Sequence, residues 1–217
     1  MPNIKFQDLN AVIHNTSRYG LDYDVAHVTM LMQTDELIQS DLIWAIPHIE
    51  DINPKALNLL KDGKAPLYPT LKSKLRTDVS DILQNVDSDN KEGVYDDIEK
   101  LLLLMCMHET TIDPIDTSNC LYLVSYKYRL YPVEPNNFEF KVLLPFDGLN
   151  IANGGRLQVT CVTPTNAIIN SSITRAEDVT NGQTVSEESV QLLSNVSKNV
   201  VTFFIQQDPI FTIRYNY

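Results

Sequence analysis

The sequence predicts an α+β protein, with an acidic helical domain over residues 1–115 followed by an antiparallel β-sandwich, immunoglobulin-like or jelly-roll-like, over residues 120–217. Three observations carry that expectation. Residues 1–120 hold 10 Lys+Arg against 20 Asp+Glu, whereas residues 121–217 hold 7 against 8. The apolar spacing changes in the same region from three- and four-residue intervals to strict alternation, the mark of a switch from helix to strand. Between the two lies Thr110 to Asn119, with the Pro, Asp and Ser content of a connector.

In the first half, Val25, Val28, Met32, Ile38, Leu42 and Ala45 fall at roughly helical intervals and stop near Pro47. Asn53-Pro54 supplies an N-cap followed by proline at the first helical position, and Gly63 a stop, for a helix over about 54–62. Thr70 caps a third helix whose stripe is Leu71, Leu75, Val79, Ile82, Leu83 and Val86. A fourth, over about 95–109, is apolar all round from Leu101 to Met107 and predicts the buried centre of a four-helix module.

In the second half, Tyr122, Val124, Tyr126, Tyr128 and Leu130 share one face of a strand ended by Pro132 and Pro135. Phe138, Phe140, Val142 and Leu144 form the next, Asn153-Gly154-Gly155 a turn, and Leu157, Val159 and Cys161 a third. Val200–Gln206 and Ile210–Tyr217 close the chain, with Phe211, Ile213, Tyr215 and Tyr217 on one face. Residues 174–199 fit neither period. There Thr184-Val-Ser-Glu187 has capping-box spacing, with Val190 and Leu193 on one face of a short helix.

The formal net charge of −11 argues against a nucleic-acid partner, because phosphate affinity rests on clustered Lys and Arg. No apolar run approaches the ~18 residues of a spanning helix, so no membrane partner is expected. The first residues lack the apolar stretch of a secretory signal, and the location expected is cytoplasmic or within a virion. Cys106, Cys120 and Cys161 are odd in number and lie in or beside apolar runs, which suits reduced core thiols.

The segment from Ser88 to Glu99 has a partial calcium-loop pattern. Ser88, Asn90, Glu92, Asp96 and Glu99 would supply oxygen, with Gly93 at the sixth position and predicted helices on both sides. Ser rather than Asp leads it, so the competing reading is a polar loop with acids near a helix N-terminus. No cofactor other than calcium is suggested. His14, His27, His48 and His108 show no i, i+4 pair, and phosphate-cradling or nucleophile-elbow motifs are absent. For a hydrolase with a site assembled from distant residues, His108, Asp113 and Asp116 would be the first candidates.

Tyrosines gather on the first and last strands of the predicted sandwich. Tyr126, Tyr128, Phe211, Tyr215 and Tyr217 are therefore candidate interface residues as well as candidate sheet packing. The function expected is that of a non-catalytic structural or interaction protein, a homo- or hetero-oligomeric subunit of an assembly such as a bacteriophage particle. An acidic regulator binding a basic protein surface and a hydrolase are the alternatives.

Overall fold

A computed structural model describes residues 1–48, 68–73, 106–144, 146, 149–178, 183–186, 189–193, 197–205 and 209–217. These residues are almost entirely β, with one short 3-10 turn, Thr16–Tyr19, closed by Gly20 at φ +96°. A seven-stranded sheet is built from β1 (Asn3–His14), β2 (Asp24–Thr34), β6 (Pro114–Asp116), β7 (Leu121–Leu130), β10 (Asn150–Val162), β14 (Ser189–Leu193) and β15 (Lys198–Ile205). Its order is β14-β15-β10-β1-β2-β7-β6. A second sheet takes β8 (Pro132–Glu134), β9 (Asn137–Leu143), β12 (Arg175–Asp178), β13 (Thr184–Ser186) and β16 (Pro209–Asn216) in the order β13-β12-β16-β9-β8, with β11 (Ile168–Ile169) paired to β16. A small third sheet, β4-β3-β5, joins β3 (Trp44–Pro47), β4 (Thr70–Leu71) and β5 (Met107–Thr110).

The expected α+β architecture is overturned, because the described part of the N-terminal half is strand. Residues 24–34, read as the start of a helix, form β2, whose Ala26, Val28, Met30 and Met32 all point into the core. The same run contains both a three-to-four interval (Val25, Val28, Met32) and an alternation. Long-range pairing decides between them, with β1 on one side and β7 on the other. Thr70, expected to cap a helix, pairs with Ala45 in β4, and His108, expected at a helix C-terminus, lies in β5 opposite Ile46. The expected helix over 54–62 and most of those beginning at Thr70 and near 95 lie outside the described residues. The polar stretch near Thr184 is also strand: Thr184 opens β13, and Val190 and Leu193 belong to β14.

The described residues form a β-sandwich-like core, but not the expected antiparallel sandwich of residues 120–217 alone, because β1 and β2 lie between β10 and β7 and β1 pairs with β10 in parallel. Tyr122, Val124, Tyr126, Tyr128 and Leu130 are buried in β7, Phe138, Phe140 and Val142 in β9, and Leu157, Val159 and Cys161 in β10. Together with Phe211, Ile213 and Tyr215 of β16 they form one continuous core, and Phe203 of β15 meets Phe211 across it with ring centroids 5.3 Å apart. The single tryptophan, Trp44, is fully buried against Phe146 at 5.1 Å.

The pairing of β1 with β10 is parallel, so it can only form through a long crossover. Its register jumps from Ile4↔Ile151 to Phe6↔Arg156, leaving Ala152 to Gly155 as an insertion within β10. Asn153-Gly154-Gly155 is therefore a bulge inside one strand rather than a turn between two. Glycine is needed there on two counts. Gly154 sits at φ +75°, and a Cβ on Gly155 would lie 2.7 Å from the Ile4 carbonyl oxygen.

Candidate functional site

The outer face of the seven-stranded sheet is the most distinctive surface. Alternation sends every second residue outward, and the register lines these up in rows across β15, β10, β1, β2 and β7. One row reads Val200–Val162–Val12–His27–Lys127. The next is Thr202–Thr160–Asn10–Thr29–Ser125, in which the Ser125 hydroxyl reaches Thr29 Oγ1 at 3.3 Å. The third is Phe204–Gln158–Asp8–Leu31–Leu123. Phe204 and Leu123 are 53% and 50% exposed. Over these three rows only Asp8 and Lys127 carry full charge. A water-facing sheet surface is ordinarily dense in charged residues. A patch of valine, threonine and half-exposed Leu and Phe instead has the charge-poor composition of an interface core.

A second polar constellation lies at the edge of the core. The Asp24 carboxylate, wholly buried at the start of β2, accepts four hydrogen bonds. Ser17 donates its backbone N–H at 3.1 Å and its hydroxyl at 2.6 Å to Oδ1. The Tyr215 and Tyr217 hydroxyls donate to Oδ2 at 2.7 and 2.6 Å. The Arg18 guanidinium stacks on the Tyr217 ring at 3.8 Å and donates to the Thr165 carbonyl at 2.6 Å. Burial, followed by the neighbouring Asp24 charge, pushes the Tyr215 phenol well above its ordinary range. Burial and the Asp24 hydrogen bond do the same for Tyr217. Two donors on each oxygen fill the approximately four acceptor sites of a carboxylate. The arrangement is a latch between the β1–β2 connection and β16, with its hydrogen-bonding capacity spent internally.

The sequence-predicted residues are distributed as follows. Tyr126, Tyr128, Phe211 and Tyr215 are buried in the core, and Tyr217 is half-buried in the latch, so these side chains pack within the chain itself. β16 is flanked by β12 and β9 and offers no free edge. Ser88, Asn90, Glu92, Asp96 and Glu99 lie outside the described residues. The His108 ring meets His48 edge-on at 5.9 Å in the small sheet. Asp116 accepts from the backbone N–H groups of Ser118 and Asn119 and from Asn119 Nδ2, and the last of these holds its carboxyl below the usual range. No hydrogen bond or ion pair joins His108 to Asp113 or Asp116 among the described residues. Nor do three His, Cys, Asp or Glu side chains gather there as a metal-ligand group. Cys106 and Cys161 are buried, and desolvation raises their thiols to about 11 and about 12.

Sequence reasoning missed the outer face because β1 was given no element. The alternation of Leu9, Ala11 and Ile13 with Asp8, Asn10 and Val12 was the available signal. Among the described residues no helix is long and apolar enough to cross a membrane. No protein-family model matches the chain, and no curated protein matches it either.

Proposed function

We propose that the chain is a non-catalytic structural or interaction protein, a subunit of a larger protein assembly such as a bacteriophage particle. The outer face of the seven-stranded sheet carries this reading: five strands wide, poor in charge, and bearing half-exposed Phe204 and Leu123. Such a face gains by excluding water against a partner at ~25 cal/mol per Å² of apolar surface. The other polar cluster, the Asp24 latch, spends its hydrogen bonds within the chain, which leaves the outer face as the surface offered to a partner.

The test is the mass of the full chain in solution by light scattering over a concentration series, with Leu123→Lys and Phe204→Lys as comparators. Both side chains are exposed, so the fold should tolerate the changes. A discrete multiple of 24.6 kDa that dissociates in the double variant supports the proposal. A wild-type chain that stays monomeric at every concentration argues against self-assembly.

A further inference from the structure

The charges around that outer face are separated along the strands. At the end where β1 finishes and β2 begins lie His14, His27, Lys127 and Lys198, on four different strands. The His14 imidazole is held below its ordinary range, first by partial burial and then by the positive fields of Lys198, His27 and Lys127. Register places the four groups at one corner: Val12, two residues before His14, pairs with His27, which pairs with Lys127, and Val12 connects through Val162 to Val200, two residues after Lys198. At the opposite end, where β2 finishes and β7 begins, stand Asp35, Glu36, Asp113 and Asp116. Asp35 accepts from the backbone N–H and Nδ2 of Asn3 at the start of β1, and Asp116 caps the turn into β7. These bonds keep both acids ionised and fixed at the sheet's rim.

Other charges temper this polarity without erasing it. Lys5 and Arg156 lie toward the acidic end, and Asp22 lies toward the basic one. Arg129 is drawn aside over the Tyr23 ring at 4.8 Å, and Asp24 is buried in its latch. The eleven residues of β2 span roughly 35 Å at ~3.4 Å per residue, several Debye lengths at physiological salt. The two ends therefore act as separate, opposite poles, with uncharged rows between them.

We propose that the occupant of this face is a second copy of the same chain, docked face to face with its poles reversed. The basic corner, charged by Lys127 and Lys198 beside His14 and His27, meets the acidic rim of Asp35, Glu36, Asp113 and Asp116 on the other molecule. This inference rests on the assembly reading above and gives it a polarity. Because one face carries both poles, two copies packed face to face with their strands reversed satisfy both pole contacts at once: the contact is isologous and closes as a two-fold dimer.

The experiment uses two full-length variants, Lys127→Glu/Lys198→Glu and Asp35→Lys/Glu36→Lys/Asp113→Lys. Sedimentation velocity is run on wild type, on each variant and on their equimolar mixture, at low and high salt. Each variant alone should associate at least about tenfold more weakly than wild type, because like charges now oppose. The mixture should regain association through its reversed pair, and raised salt should weaken wild type and mixture together. Variants that associate as wild type does, or a mixture that fails to recover while both variants keep wild-type circular dichroism, would overturn the pole-to-pole contact and leave the assembly reading standing. A wild-type chain monomeric throughout would overturn this contact together with any self-assembly of the chain.

Discussion

Replacing the Tyr215 and Tyr217 hydroxyls separately and together tests whether the Asp24 latch holds β16 to the first strand pair. A hydrogen bond to a charged group contributes ~1.5–3 kcal/mol. Tyr215→Phe removes a fully buried donor at 2.7 Å but leaves the carboxylate three others, so a loss of about 1.5 kcal/mol is expected. Tyr217→Phe removes one at 2.6 Å from a half-buried ring that water can partly replace, for about 1 kcal/mol. The double variant strips Oδ2 of both donors and leaves half of a buried carboxylate without a partner. Its loss should reach about 4 kcal/mol, more than the sum of the singles, because an unsatisfied buried charge carries its own desolvation penalty. Urea unfolding followed by the fluorescence of Trp44, the one tryptophan, gives all three values and their coupling. A double variant within about 1 kcal/mol of wild type, or strictly additive singles, would refute the latch as an energetic unit.

Three further outcomes are expected. Alkaline pH should unfold the protein: burial raises the phenols of Tyr126, Tyr128 and Tyr215, so the folded state resists ionisation while the unfolded chain ionises near pH ~10. Their contribution is complete below that pH and is lost above it, as pH rises toward the raised folded values, at about 4 kcal/mol per pH unit for the three; phenolate absorbance at equilibrium reads it. Thiol labelling of the native chain should modify Cys120 while sparing Cys106 and Cys161, whose burial blocks access and disfavours the thiolate, and full reaction of all three before unfolding would contradict the packing. Gly155→Ala should cost about 2 kcal/mol, because its methyl meets backbone oxygens of Ile4 and Ala152 that cannot turn away, and thermal melting should fall by about 4–8 °C.

Strands β7, β9, β10, β15 and β16 of the second half were readable because they alternate apolar and polar residues, whereas the polar residues 174–199 hid β12, β13 and β14. Phe138, Phe140 and Val142 face inward as their spacing demands. The first half misled because the apolar residues within a stretch such as 24–34 satisfy both periods, and its state is set by neighbours far along the chain. Clustered acids near residue 24 also disguised Asp24. It looks like solvated charge beside Asp22, yet its partners Tyr215 and Tyr217 lie over 190 positions away. The tyrosines were found by composition, but whether they face a partner or the core depends on sheet-to-sheet packing, which spacing does not encode. The charge-poor outer face was hidden for the same reason, since its rows exist only once five separate strands are set in register.

The parallel match of β1 to β10 has a consequence for the chain as it is being made. A ribosome finishes β1 at residue 14 and reaches the strand that covers one of its edges only at residue 150, on the order of ten seconds later at ~5–20 residues per second. During that interval β2 can pair with one side of β1, but the other side presents its amides and carbonyls to whatever strand arrives first. Folding of this sheet is thus inherently late and non-local, and a nascent chain holding an open edge for so long is a natural client for a chaperone that binds extended segments. Release of the assembled sheet would then be timed by the emergence of β10, and a translational pause ahead of residue 150 should raise aggregation more than an equal pause after residue 162.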